Sequence, residues 1–139
     1  MKYLITERQL KLIKEDNIRK IDFDIFNNDW ALLQKFLERR GNPPYIITGD
    51  LNLYGLKIES LGNLQSVGGY LYLTGSNIES LGNLQSVGGN LDLNSTKIES
   101  LGNLQSVGGN LYLNRTPLSK TTTKEEIRNQ VEVGGNIYM

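Results

Sequence analysis

The sequence predicts a β-rich repeat solenoid of the α+β kind with a helical cap ahead of it, and two observations carry that expectation. The stretch "IESLGNLQSVGG" occurs unchanged at residues 58–69, 78–89 and 98–109, twenty residues apart. Each copy is followed by a short Leu-x-Leu core: Leu71 and Leu73, Leu91 and Leu93, Leu111 and Leu113. Strand side chains alternate, so the two Leu of each core share one face and the residues that vary share the other. A fixed period of this length marks units that bury their apolar faces only by stacking on one another.

Three regions separate by pattern. Residues 1–44 are not repetitive and predict an N-terminal helical cap. Thr6 and Gln9 have capping-box spacing ahead of a helix from about Glu7 to Asp16. A second helix follows Asp29 as N-cap, with Trp30, Leu33 and Leu37 on one face, Gly41 at the left-handed C′ position and "NPP" as the stop. Between them "IDFDIF" fits either a short strand or an extended linker.

Residues 45–118 form the repeat array. Within each unit Ile78, Leu81, Leu84 and Val87 recur at intervals of three, which suits tight turns or 3₁₀ pieces better than an α-helix. Gly88 and Gly89 would allow positive φ where the chain turns back into the next strand. Stacked units lie about 4.8 Å apart, so Asn63, Asn83 and Asn103, and likewise Gln65, Gln85 and Gln105, are placed to form amide ladders. The same stacking aligns Glu59, Glu79 and Glu99, with Lys57 and Lys97 near enough to offset their repulsion. Residues 119–139 read as a C-terminal modified repeat. Several potential N-caps precede a short helix through Glu125 to Asn129, and "VEVGGNIYM" then re-enters a strand that aligns Ile137 and Met139 with Leu111 and Leu113. That terminal strand, Ile137, Tyr138 and Met139, is expected to offer an open edge.

The units Leu71, Leu73, Ser76, Ile78; Leu91, Leu93, Thr96, Ile98; and Leu111, Leu113, Thr116, Leu118 resemble the leucine-rich repeat family. The first unit departs, with Leu56 at the ladder position that the family usually fills with Asn or Cys. The resemblance implies a right-handed coil, one parallel sheet of about five strands, and service as a binding scaffold. Near-perfect repeats of the "SLGNLQSVGG" type are also similar to those of uncharacterised tailed-bacteriophage proteins, which implies a phage virion or accessory component.

Composition narrows the function. Fifteen Lys plus Arg balance fifteen Asp plus Glu, so no basic field draws nucleic acid or an anionic membrane. Cys and His are both absent, which removes thiolate chemistry, the commonest general base near neutral pH and the commonest transition-metal ligand. The expectation is therefore a protein that is not an enzyme, with no cofactor and no metal. Asp22, Asp24 and Asp29 lack metal-loop spacing, the "GG" pairs are not a phosphate loop, and the sequons at 94–96 and 114–116 lack a secretion signal. No apolar run approaches the roughly 20 residues that cross a bilayer. The expected location is cytoplasmic or virion-associated.

What remains is the face opposite the paired Leu, expected to be concave. Its candidate partner-binding residues are Tyr54, Tyr70, Tyr72, Asp92, Asn94, Tyr112, Asn114 and Tyr138. Tyr brings contact area with few rotors and Asn brings donors and acceptors, a mixture suited to a protein partner and, more remotely, to a glycan. The alternative is self-assembly, as a dimer or filament, through the edge strand Ile137–Met139.

Overall fold

The structure, a computed structural model, describes residues 18–139. The expected helix from Glu7 to Asp16 and its Thr6–Gln9 box lie outside the described residues. Each repeat contributes one short strand to each of two parallel sheets. The six-stranded sheet runs through Arg19–Ile21, Tyr45–Ile47, Leu64–Val67, Ser86–Val87, Ser106–Val107 and Glu132–Val133 in spatial order. The five-stranded sheet runs through Leu51–Asn52, Leu71–Tyr72, Leu91–Asp92, Leu111–Tyr112 and Ile137–Tyr138. The expectation of one sheet of about five strands is thus corrected to two sheets. The spacing of three places "QSV" in a turn-rich return, yet its backbone pairs in register with the next copy, Ser66 with Ser86 and Val67 with Val87. Two to four residues per strand are too few for alternation to reveal.

Two tight turns bend each unit. One is closed by Leu84 N–H donating to Leu81 O at 3.2 Å, with Gly82 at φ 59; in the preceding unit Gly62 has φ 62 and its N–H donates to Ser60 Oγ at 2.9 Å. The other is closed by Ser76 N–H donating to Leu73 O at 3.0 Å. Its third residue takes positive φ in every unit, and is Gly55 and Gly75 in the first two but Ser95 and Arg115 in the last two. Left-handed backbone costs a non-Gly residue about 1–2 kcal/mol, so the later units carry strain the earlier ones lack.

Gly88 and Gly89 correct a second expectation, since neither has positive φ. Their reason is closeness. A methyl group on Gly88 would run into the carbonyl oxygen of Gly68, as one on Gly108 would into that of Gly88 and one on Gly134 into that of Gly108. Backbone ladders such as Gly88 N–H to Val67 O (2.8 Å) and Gly89 N–H to Gly69 O (2.8 Å) hold the layers this near.

One continuous core fills the space between the sheets. Leu71, Leu73, Ile78, Leu81, Leu84 and Val87 are all buried in a single unit, and their equivalents repeat the pattern. A fully buried Leu contributes about 2 kcal/mol, so each layer adds several such increments. The ladder position after each Leu-x-Leu strand is filled unevenly. Thr96 and Thr116 donate Oγ1 to Leu93 O and Leu113 O at 2.7 Å, whereas buried Ser76 Oγ has no hydrogen-bond partner among the described residues and Leu56 stands 42% exposed.

The amide ladders form only in part. Asn83 Nδ2 donates to Asn63 Oδ1 at 3.1 Å, but Asn103 Nδ2 reaches the Gly82 carbonyl at 3.4 Å instead. Among the described residues the Gln side chains form no ladder; the backbones do, Gln85 N–H donating to Gln65 O at 2.8 Å and Gln105 N–H to Gln85 O at 2.7 Å. Lys57 Nζ likewise donates to Gly75 O at 3.0 Å, with no Glu as its acceptor.

Ahead of the repeats, Arg19–Ile21 is a strand and Phe23–Phe26 a 3₁₀ turn, so "IDFDIF" is strand only at Ile21 and its helical turn corrects the expectation of a strand or an extended linker. The helix Trp30–Glu38 starts at Asp29, whose Oδ1 accepts from Leu32 N–H at 3.1 Å, and buries Leu33 and Leu37. Tyr45 ties this helix to the first repeat. Its hydroxyl donates to Leu61 O at 2.7 Å and accepts from Gln34 Nε2 at 3.3 Å. Burial pushes the Tyr45 phenol well above its ordinary 10.0, with the Gln34 donor acting weakly the other way. After the last Leu-x-Leu pair the chain makes a single turn, Leu118–Thr121, and the helix Lys124–Gln130, capped by Thr123.

Candidate functional site

The Leu-x-Leu strands set the site. Leu71, Leu73 and their equivalents point into the core, which forces the residues between and beside them outward on a rigid, paired backbone. Tyr72, Asp92 and Tyr112 therefore lie in one row across three neighbouring strands, with Tyr138 next to Tyr112 on the fourth.

The tyrosines form two stacked pairs. Tyr70, just ahead of the strand Leu71–Tyr72, and Tyr72 have ring centroids 4.1 Å apart at an interplanar angle of 20°. Tyr112 and Tyr138, on adjacent strands, are 5.0 Å apart at 10°. Amides brace the second pair: Asn110 Nδ2 donates to Tyr112 Oη at 3.2 Å and Asn136 Nδ2 to Tyr138 Oη at 3.4 Å. Tyr54 stands apart, 70% exposed, with no ring partner among the described residues.

Most of the Asn and Asp side chains on this face have structural work. Asp50 Oδ1 accepts from Tyr70 N–H at 3.0 Å, Asn90 Oδ1 from Asn110 N–H at 2.8 Å, and Asn110 Oδ1 from Asn136 N–H at 2.8 Å. Each carboxamide or carboxylate thus caps the backbone of the next layer. The glycine before each capped residue makes room for it, because a methyl on Gly69, Gly109 or Gly135 would strike the oxygen of Asp50, Asn90 or Asn110. Tyr70 occupies this column in the second unit and interrupts it. Of the candidate residues, Asn94 Oδ1 accepts from Asn114 N–H at 2.8 Å and Asp92 Oδ1 from Asn94 N–H at 2.9 Å. Asn114 is exposed, and its side chain has no hydrogen bond among the described residues.

The strand Ile137–Tyr138 is paired on one side with Leu111–Tyr112. Ile137 is buried and Met139 packs against the core, so Tyr138, 41% exposed, is the side chain this strand offers. On the neighbouring strand of the other sheet Arg128 closes off acceptors, donating to Val133 O at 3.0 Å and Gly135 O at 2.8 Å.

Two features escaped the sequence reading. Asp22, Asp24 and Asp50 line one hollow of about 440 Å³, together with Asn52 and Tyr70, at one end of the tyrosine row. The separation of Asp50 from Asp22 and Asp24 along the chain hides this from the sequence. On the opposite sheet Ser66, Ser86 and Ser106 line an open trough of about 630 Å³ floored by Gly68, Gly88 and Gly108. Recognising "SV" as strand would have shown it. Among the described residues no group of three or more carboxylates is placed to hold a metal ion, and no helix is long and apolar enough to cross a membrane. Compared with protein-family models, with curated proteins and with solved structures, the chain matches none.

Proposed function

We propose that the chain is a leucine-rich-repeat-like solenoid acting as a non-catalytic scaffold that binds a partner protein on the outward face of its five-stranded sheet. The observation that carries this reading is the pair of stacked tyrosine couples, 4.1 and 5.0 Å between rings, mounted on paired strands. Aromatic anchors held before binding lose little entropy on binding, and they dominate interface energetics. The capping Asn and Asp support the reading as well, because they stiffen the backbone under the rings.

Affinity purification from the native cells with the full chain and with a Tyr70→Ser, Tyr72→Ser, Tyr112→Ser variant tests it. The expected result is a protein retained by the natural chain and lost by the variant, with both baits equally folded by circular dichroism. Equal retention removes this face from consideration.

Self-assembly through the Ile137–Met139 strand is the second reading. It is favoured by the repetition of the Asn110–Tyr112 side-chain bond in Asn136–Tyr138, which gives the outermost strand the features of the strand it stacks on. Light scattering after size exclusion, compared with Tyr138→Pro, separates the two. An assembly dispersed by Pro supports self-pairing, and a monomer indifferent to Pro defeats it.

A further inference from the structure

Resting on the protein-binding reading, we propose that the partner presents an arginine-bearing basic segment, one guanidinium lying over Asp92 between Tyr72 and Tyr112. The register puts Asp92 opposite Tyr72 on one side and Tyr112 on the other. Parallel strands are spaced about 4.8 Å apart, so the two tyrosines flank the carboxylate across a slot of about 9.6 Å. A cation over Asp92 would then lie within the roughly 6 Å at which the free face of Tyr112 attracts it, while Tyr72, its ring stacked on Tyr70, walls the slot on the other side. Tyr112 is stacked on Tyr138, which lies on the side away from Asp92, at only 10° between planes. Its other ring face is therefore turned toward the Asp92 strand. Asp92 itself is held in place by the Asn94 N–H at Oδ1, leaving Oδ2 for a ligand.

Charge on this face points the same way. The whole chain is neutral, yet the outward positions of the five strands carry Asp50 and Asp92 and neither Lys nor Arg. Asp22 and Asp24 join Asp50 in the hollow at one end of the row, so the acidic character extends beyond a single side chain. Arg115 follows the strands in a separate hollow with Thr74, Asn94 and Asn114. Such a face repels phosphates and attracts cations. A glycan needs many free hydrogen-bonding groups, and one oxygen each of Asp50, Asn90, Asn94 and Asn110 is already engaged by a backbone N–H, which leaves fewer acceptors on this face. Arginine suits the slot better than lysine because its planar group stacks on a ring while pairing with a carboxylate in the same plane.

The test titrates the full, isotope-labelled chain with acetyl-Gly-Arg-Gly-Arg-Gly-amide, its Lys and Glu counterparts and chitotriose, read by amide chemical shifts. The expected result is saturable shifts centred on Tyr72, Asp92 and Tyr112 with the Arg peptide. They should be weaker with Lys, absent with Glu, and reduced by added salt. Asp92→Asn keeps the acceptor for Asn94 N–H, so the fold stands, and it should weaken Arg-peptide binding about tenfold or more. Shifts that do not saturate, that are unchanged in Asp92→Asn, or that chitotriose produces more tightly would overturn the inference. A cellular partner lost by the triple Tyr variant but indifferent to both Asp92→Asn and salt would sink the basic-segment inference alone. Indifference to the Tyr variant as well would sink both readings.

Discussion

The two sheets are made by the same coils and tolerate opposite amounts of change. On the six-stranded sheet Ser66–Gly69, Ser86–Gly89 and Ser106–Gly109 are the same four residues three times. On the five-stranded sheet the outward residues run Tyr70 and Tyr72, then Asn90 and Asp92, then Asn110 and Tyr112. The difference follows backbone approach. Gly88 and Gly108 sit against the carbonyl of the layer before, where any side chain collides, whereas Tyr72 and Asp92 project from strands whose contact is made by Leu on the other face. At the glycines constancy marks crowding; the equally constant Ser66, Ser86 and Ser106 line an open trough, and crowding does not account for them.

The largest effect within that contrast should come from the inner face of the variable sheet. Leu91→Ala removes a fully buried side chain and is expected to cost about 2–5 kcal/mol in urea unfolding. A cost near zero would mean the layers repack freely. Next, Gly88→Ala on the constant sheet should cost about 1–3 kcal/mol through backbone displacement. Gly75→Ala, with open space around it but φ 77, should cost only about 1 kcal/mol. If the order of these two reversed in thermal melts, crowding would not be the reason for the constant glycines.

A smaller change probes the variable face itself. Asn90→Ala leaves Asn110 N–H without its acceptor and should cost about 1 kcal/mol, while Asn114→Ala should change little. Equal costs in denaturant titrations would remove the Asx column from the account. The smallest effect has the opposite sign. Ser95→Gly relieves a residue at φ 59 and is expected to raise stability by about 0.5–1 kcal/mol, in line with the Gly that fills this position in the first two units.

Much of this was legible in the chain, and the parts that were not share a cause. The twenty-residue period, the buried faces Ile78, Leu81, Leu84 and Val87, and the Asp29 cap all depend on residues close in sequence. The row Tyr72, Asp92, Tyr112 was also readable, because identical spacing implies identical register. The second sheet was missed because two-residue strands carry no periodicity, and the positive φ was assigned to Gly88 and Gly89 because composition alone does not distinguish a turn from a close approach. The structural duty of Asp50, Asn90 and Asn110 was missed because their partners lie 20 to 26 residues away on the next layer.

The sequence by itself therefore determined the period, the inward and outward faces, and the identity of the displayed side chains, since each follows from local alternation and spacing. Only the tertiary structure decided that the return segment is itself a sheet, which glycines are there for space and which for torsion, and that Asp22 and Asp24 share a hollow with Asp50 beside the tyrosine row. Those are properties of distances between layers. Hydrogen bonds and steric contacts of about 3 Å are set by how coils stack, and one coil's residues do not contain that information.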